Sequence, residues 1–270
     1  MAHSSAKVLL FSFSALGFIS VVVAKVKGNN DPVIDTLHVT SEIQSRFATT
    51  LITSKIQNPS STAEEVVFSV ILPNAAFINN FTMLVDGKLI VGEVKEKEKA
   101  RKQFEQAKFR GETAGLVAQR PRETNAFSIS VNVAAKDKAV FNLTYQEVLK
   151  RVYVYKNVIN IAPGQVVNDM RLEVSITERR PIKALVVPEI KPRMAEKTNK
   201  ELVKMKTSSN YHITRYKSKD GSHQAKIVCQ VPAAKQSKDG LEGQMVVLYD
   251  VQRSNDAGEV LVHMCSLILH

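Results

Sequence analysis

Nine basic side chains, Lys191, Arg193, Lys197, Lys200, Lys204, Lys206, Arg215, Lys217 and Lys219, stand against two glutamates within residues 191–219. Cations at that density do one kind of chemistry: they attract polyanions, with a strength that falls as salt screens the charges. The segment supplies +7 of a formal net charge of +11. Two sequons, Asn80-Phe81-Thr82 and Asn142-Leu143-Thr144, offer a second chemistry, the attachment of N-glycans. Both lie in strand-like runs, where a buried asparagine would stay bare.

Catalytic chemistry leaves no comparable trace. The histidines (His3, His38, His212, His223, His263 and His270) form no H-E-x-x-H and no other paired ligand spacing. There is no C-x-x-C, no G-x-S-x-G elbow and no phosphate loop. The expectation is a non-enzyme with no catalytic residue, no metal site and no cofactor. Cys229 and Cys265 do not make a disulfide framework. They either pair or serve as one buried and one stray thiol.

The compartment is read from the N-terminus. Lys7 precedes an uncharged run, VLLFSFSALGFISVVVA, from Val8 to Ala24, and the chain turns polar at Lys25. Small residues at Val22 and Ala24 complete the layout of a cleaved secretory signal. An uncleaved anchor helix is the alternative, since 17 apolar residues sit at the low edge of a membrane span. No second stretch is apolar enough to cross a bilayer. Cleavage after residue 24 lowers the net charge only to +10. A secreted, basic chain meets acidic glycans and anionic surfaces, not nucleic acid.

The elements that must position these residues read as strands. Residues 37–56 alternate with period two: Leu37, Val39, Ile43, Phe47 and Leu51 share one face, Ile52 and Ile56 the other. A change of face in so long a run implies a bulge or two strands. EVVFSVILP follows as a compact strand, and Asp86-Gly87 sits between two apolar runs as a tight hairpin turn. Further strands are predicted at 127–134, 139–145, 152–162, 170–178, 226–231 and 243–253, which together read as an antiparallel sandwich or barrel. One principal helix is predicted at about 94–109, anchored by Ala100, Phe104 and Ala107. Seven basic and five acidic residues between 93 and 112 make it a solvated face rather than a docking arm. The 191–219 run is polar and Pro-flanked, so it reads as a linker or long loop with at most a short helix. The tail GEVLVHMCSLILH reads as an apolar strand seeking a partner.

Five stretches in order, SRFATTLITSKIQN, AFINNFTMLVDG, GEVKEKEKARKQFEQAKFRGETAGLV, VFNLTYQEVLKR and VVLYDVQR, resemble the heavy chains of inter-alpha-trypsin inhibitor, most closely the heavy chain 2 branch. The match covers about 35–178 and 243–262. Beside the signal read at 1–24, the resemblance implies a mainly β, antiparallel sandwich-like VIT domain at 25–180. The basic linker or loop read from composition then takes 181–225, followed by a β segment at 226–262 and a tail at 263–270 that diverges from the family. That β segment leads toward a von Willebrand A domain, before which the sequence ends. Asp220-Gly221-Ser222 opens like the metal loop of such domains but continues with His223 and Gln224, so it is a turn. The family's Cys-x-x-Cys before the junction is replaced by VPAAKQSKDG, and its Asp-Pro-His-Phe attachment site is missing. What the resemblance implies about function is a secreted protein of the hyaluronan-rich matrix. Its partners would be hyaluronan or chondroitin sulfate, with the inhibitor light chain or matrix proteins beside them. Protease inhibition in that complex belongs to the light chain. A matrix or complement protein-binding module without glycan binding is the competing function.

Overall fold

The structure is a computed structural model that describes residues 31–92 and 126–253. The signal region, the helix predicted at about 94–109, and the tail with Cys265 lie outside the described residues. Within them the chain is mainly β, with fourteen strands in three sheets.

The expected change of face in residues 37–56 is a hairpin. β1 (Val33–Gln44) and β2 (Phe47–Gln57) pair antiparallel around Ser45 and Arg46, both at positive φ, 48° and 65°. Two left-handed residues match the twist of the flanking strands. The turn also resets parity. Ala48, Thr50, Ile52, Ser54 and Ile56 face the core beside Leu37, Val39 and Ile43. Phe47 and Leu51 therefore stand on the outer face, against expectation, and Leu51 is 40% exposed. The second hairpin forms as predicted: Asp86 and Gly87, at φ 51° and 69°, join β4 (Phe77–Val85) to β5 (Lys88–Val91).

The large sheet runs β12–β13–β10–β1–β2–β7–β4–β5, with β7 at Lys138–Val148, β10 at Asp169–Glu178, β12 at His212–Lys217 and β13 at His223–Pro232. One pairing corrects the antiparallel expectation. β1 and β10 run parallel, in register from Thr36↔Asp169 to Gln44↔Thr177. The chain reaches β10 only after a detour through β8 (Arg151–Val152) and β9 (Val154–Ile161), which belong to another sheet. A strand that returns by such a crossover is free to run parallel, whereas a hairpin is not.

One face of the large sheet is lined by Val39, Ile43, Ile52, Phe141, Leu143, Leu172 and Val174, all buried. Over it lie a two-stranded sheet, β3 (Glu64–Ile71) with β6 (Ala126–Val133), and a four-stranded sheet, β11–β14–β9–β8, with β11 at Ile182–Val186 and β14 at Gly243–Val251. Phe68 of β3 stacks on Phe141 of β7 at 5.1 Å, and Phe127 of β6 meets Phe81 of β4 at 5.1 Å. Asn160 of β9 donates its amide to the Ile71 carbonyl at 3.1 Å, tying the two smaller sheets together. Asn58, fully buried, fastens the loop after β2 by donating to the carbonyls of Thr62, Val133 and Ala134 at 2.8–3.0 Å.

β14 reads as a continuous apolar run because both its faces are covered. Met245, Val247 and Tyr249 join the main core. Val246 and Leu248 pack with Val154, Met194 and Leu202 in a second cluster on the opposite side. That cover comes from the segment predicted to be a linker. A 3-10 turn (Met194–Glu196) and α1 (Asn199–Val203) bring Met194 and Leu202 there.

Candidate functional site

The basic segment is folded, and its fold decides where each cation stands. Five helical residues are unstable alone, because nucleation costs more than so few hydrogen bonds return. α1 is held by three devices. Thr198 and Glu201 form a reciprocal capping box, in which the Thr198 backbone N–H donates to Glu201 Oε2 at 2.8 Å. The Asn199 amide donates to the carbonyls of Val152 and Val154 at 2.7 and 3.2 Å. Leu202 is fully buried. Leucine and asparagine face inward, so Lys200 and Lys204 are left exposed, as are Lys191, Arg193, Lys197 and Lys206. Lys191 pairs with Glu189 at 3.0 Å, and Arg193 stands 3.9 Å from Glu196, which offsets part of the field.

The other three cations lie elsewhere. Arg215 and Lys217 are on β12, the first strand in the large sheet's order, and Lys219 is in the turn after it. The structure therefore divides the predicted site: six cations on the cover of the four-stranded sheet, three on the edge of the large one. β12 is a correction to the loop reading. Its sequence, HITRYK, has only Ile213 half-buried, so no alternation marked it as a strand.

The two sequons part company. Asn80 is exposed on β4, beside an irregularity in the β4–β7 register between Ile78 and Asn80. Asn142 is half-buried within β7, between two neighbouring strands. Its Oδ1 accepts from the Thr53 hydroxyl at 2.8 Å, and its amide nitrogen donates to Thr82 Oγ1 at 3.4 Å. A glycan on that nitrogen would break the cross-strand pair. Expressed through a secretory route, the chain is expected to carry sugar at Asn80 and none at Asn142. Asn80→Gln should abolish the mass lost on enzymatic deglycosylation, and Asn142→Gln should leave it unchanged.

The VVLYDVQR stretch acts as a lock. Tyr249 stacks on Tyr155 at 5.0 Å, and its hydroxyl donates to Glu178 of the large sheet at 2.9 Å. Asp250 receives a two-pronged bond from Arg151 at 2.9 and 3.0 Å, and Arg253 donates to the Tyr155 hydroxyl at 3.2 Å. Cys229 is buried, with no disulfide partner among the described residues, and burial pushes its thiol above the usual range. Among the described residues no three His, Cys, Asp or Glu side chains come together as metal ligands.

Sequence reasoning passed over one buried carboxyl. Glu147 lies on the core face of β7, 7% exposed, and accepts a hydrogen bond at 3.1 Å from the amide of Asn157 on β9. Burial pushes its carboxyl up to about 7, with the Asn157 hydrogen bond pulling the other way. Among the described residues the buried Asn157 Oδ1 has no hydrogen-bond partner.

The sequence pattern of the family described as "Vault protein inter-alpha-trypsin domain" (VIT) matches residues 34–145, nearly the span from β1 to β7. Heavy chain 4 of inter-alpha-trypsin inhibitor from Mus musculus is 33% identical over 97% of this chain and 26% of its own length. Heavy chain H3 from Pongo abelii is 36% identical over 83% of this chain and 25% of its own. Heavy chain H6 from Homo sapiens is 34% identical over 83% and 17%. The chain thus spans about a quarter or less of the length of these curated relatives.

Proposed function

The chain belongs to the inter-alpha-trypsin inhibitor heavy-chain family, and from that membership we propose that it is a secreted, non-catalytic VIT module that binds acidic glycosaminoglycans of the matrix. In this reading the module takes in residues 25–180, with the strands from β1 to β10 forming the sandwich-like VIT fold and β11 to β14 extending its two larger sheets. Hyaluronan or chondroitin sulfate is the ligand class. Contacts with the inhibitor light chain or matrix proteins come through the rest of the surface.

The observation that carries the reading is the exposure of all nine cations between Lys191 and Lys219. Six of them are displayed by a short, anchored element, so a polyanion meets charges whose backbone is already ordered. Ordering costs are what weak electrostatic contacts cannot offset. A long polyanionic chain suits them better than a compact anion because the cations are spread over two elements.

Retention on immobilised heparin or chondroitin sulfate tests this. Elution should move to lower salt when Lys200, Lys204 and Lys206 are changed together to Gln. Exposed charge contacts contribute about 0.2–1 kcal/mol each, so the triple change should weaken binding roughly tenfold. The same change at Lys97, Lys99 and Arg101 should have less effect, because glutamates are interleaved with them. Equal losses would remove the special role of the 191–219 segment. Binding that ignores salt would favour a protein partner instead.

A further inference from the structure

We propose that β12 is a docking edge for an extended acidic peptide, which adds to the large sheet as a further strand. β12 pairs with β13 in unbroken antiparallel register, from His212↔Val228 to Lys217↔His223. It stands at the end of the sheet, so among the described residues no strand pairs with its other side. Five of its six residues are exposed, and the half-buried Ile213 packs on the core and anchors it. Proteins usually blunt such an edge with proline, a bulge, a covering element or charges that repel a second copy of the same strand. This edge has no proline and no register shift. What it has is charge, and the charge chooses the partner.

Arg215, Lys217 and Lys219 carry the edge, and no acid occurs between His212 and Lys219. Asp220 in the following turn keeps its charge, bonded to the Ser222 backbone and hydroxyl at 3.0 and 2.8 Å, while Glu173 on β10 is offset by both Arg171 and Lys226. Three cations against one uncompensated acid leave the edge net positive. A second copy pairing there through its own β12 would set these cations against each other, whereas a strand bearing Asp or Glu at alternate positions would meet them. Strand addition also explains the choice of a peptide over a glycan. A peptide offers N–H and C=O groups at the spacing of the open edge, and a sulfated sugar has no such row.

This inference goes beyond the glycan reading, and its test is separate from retention on chondroitin sulfate. The full chain is titrated with a ten-residue Glu-Thr alternating peptide, and with the same sequence N-methylated at successive backbone amides. The unmethylated peptide should bind, slow amide hydrogen exchange in residues 212–217, and lose at least tenfold affinity on methylation. The double variant Arg215→Glu/Lys217→Glu should prefer a Lys-Thr peptide over the Glu-Thr one. Equal binding of the methylated and parent peptides would show attraction by charge alone and overturn the proposal. Absence of peptide binding, or exchange protection elsewhere than β12, would overturn it as well.

Discussion

Phe68→Ala is expected to lower the stability of the folded chain by about 3–5 kcal/mol, the range for deleting a packed aromatic from a core. Phe68 is 1% exposed and sits where the two-stranded sheet meets the large one. Its ring lies parallel to Phe141 at 5.1 Å, edge-on to Phe127 at 6.2 Å, and 6.4 Å from Phe81. Removing it takes one contact from each of three other rings and leaves a space that rigid strands on both sides cannot close. Domains of this size hold only about 5–15 kcal/mol in total, so the loss is a large share of what keeps the chain folded. Phe77→Ala is the control: that ring is 49% exposed, and its loss should cost no more than about 0.5 kcal/mol. Urea midpoints of the two variants against the parent decide the point. A small shift for Phe68→Ala would mean that the two-stranded sheet is not fixed to the large one by these rings.

The strands that were legible are those with one buried face. β7 and β10 alternate over most of their length and lie within three residues of the spans predicted for them, 139–145 and 170–178. Hairpin turns were legible where a dipeptide prefers positive φ, as at Asp86-Gly87. Ser45-Arg46 adopts the same geometry with residues that do not prefer it, so only the change of face betrayed it. The parallel pairing of β1 with β10 was not legible, because it joins residues more than a hundred positions apart and no local pattern specifies a partner. β11 and β12 were missed for a simpler reason. Edge strands bury little, so their sequences carry no periodic apolar signal.

The cations were legible as a set, but their division between two elements was not. That division depends on Met194 and Leu202, two apolar residues within a polar run, finding the outer face of β14. A signal was present in Thr198-Asn199-Lys200-Glu201, which has the spacing of a capping box. The difference between the sequons follows from cross-strand neighbours: Thr53 and Thr82 flank Asn142 only once β2, β7 and β4 are in register. Glu147 is instructive because its signal was also there. Phe141, Leu143 and Tyr145 alternate inward, and the same period carried two residues further puts a carboxyl in the core.

Glu147 sets the second large expectation, a loss of stability as pH rises. Its carboxyl is caught between β7 of the large sheet and β9 of the four-stranded sheet, and no ion pair to it occurs among the described residues. Burial disfavours the charged form, so the folded-state value rises from 4.5 to about 7 despite the hydrogen bond from Asn157. Between those values the folded chain holds a proton that the unfolded chain has released. Stability from this group is therefore complete below about pH 4.5 and falls away as pH climbs through about 7. The full swing is on the order of 3 kcal/mol. Glu147→Gln keeps the shape, never ionises, and can turn its amide toward Asn157 Oδ1, which no other described residue bonds. The difference between variant and parent should thus be near zero at pH 4.5 and favour the variant by roughly 3 kcal/mol at pH 8. Taking the difference removes the opposite trend of carboxyls such as Asp250 and Glu173, which are held below the usual range. Urea unfolding of both proteins at the two pH values measures it. A difference that does not change with pH would show that Glu147 titrates as a solvated carboxyl, and that water reaches the seam between the two sheets.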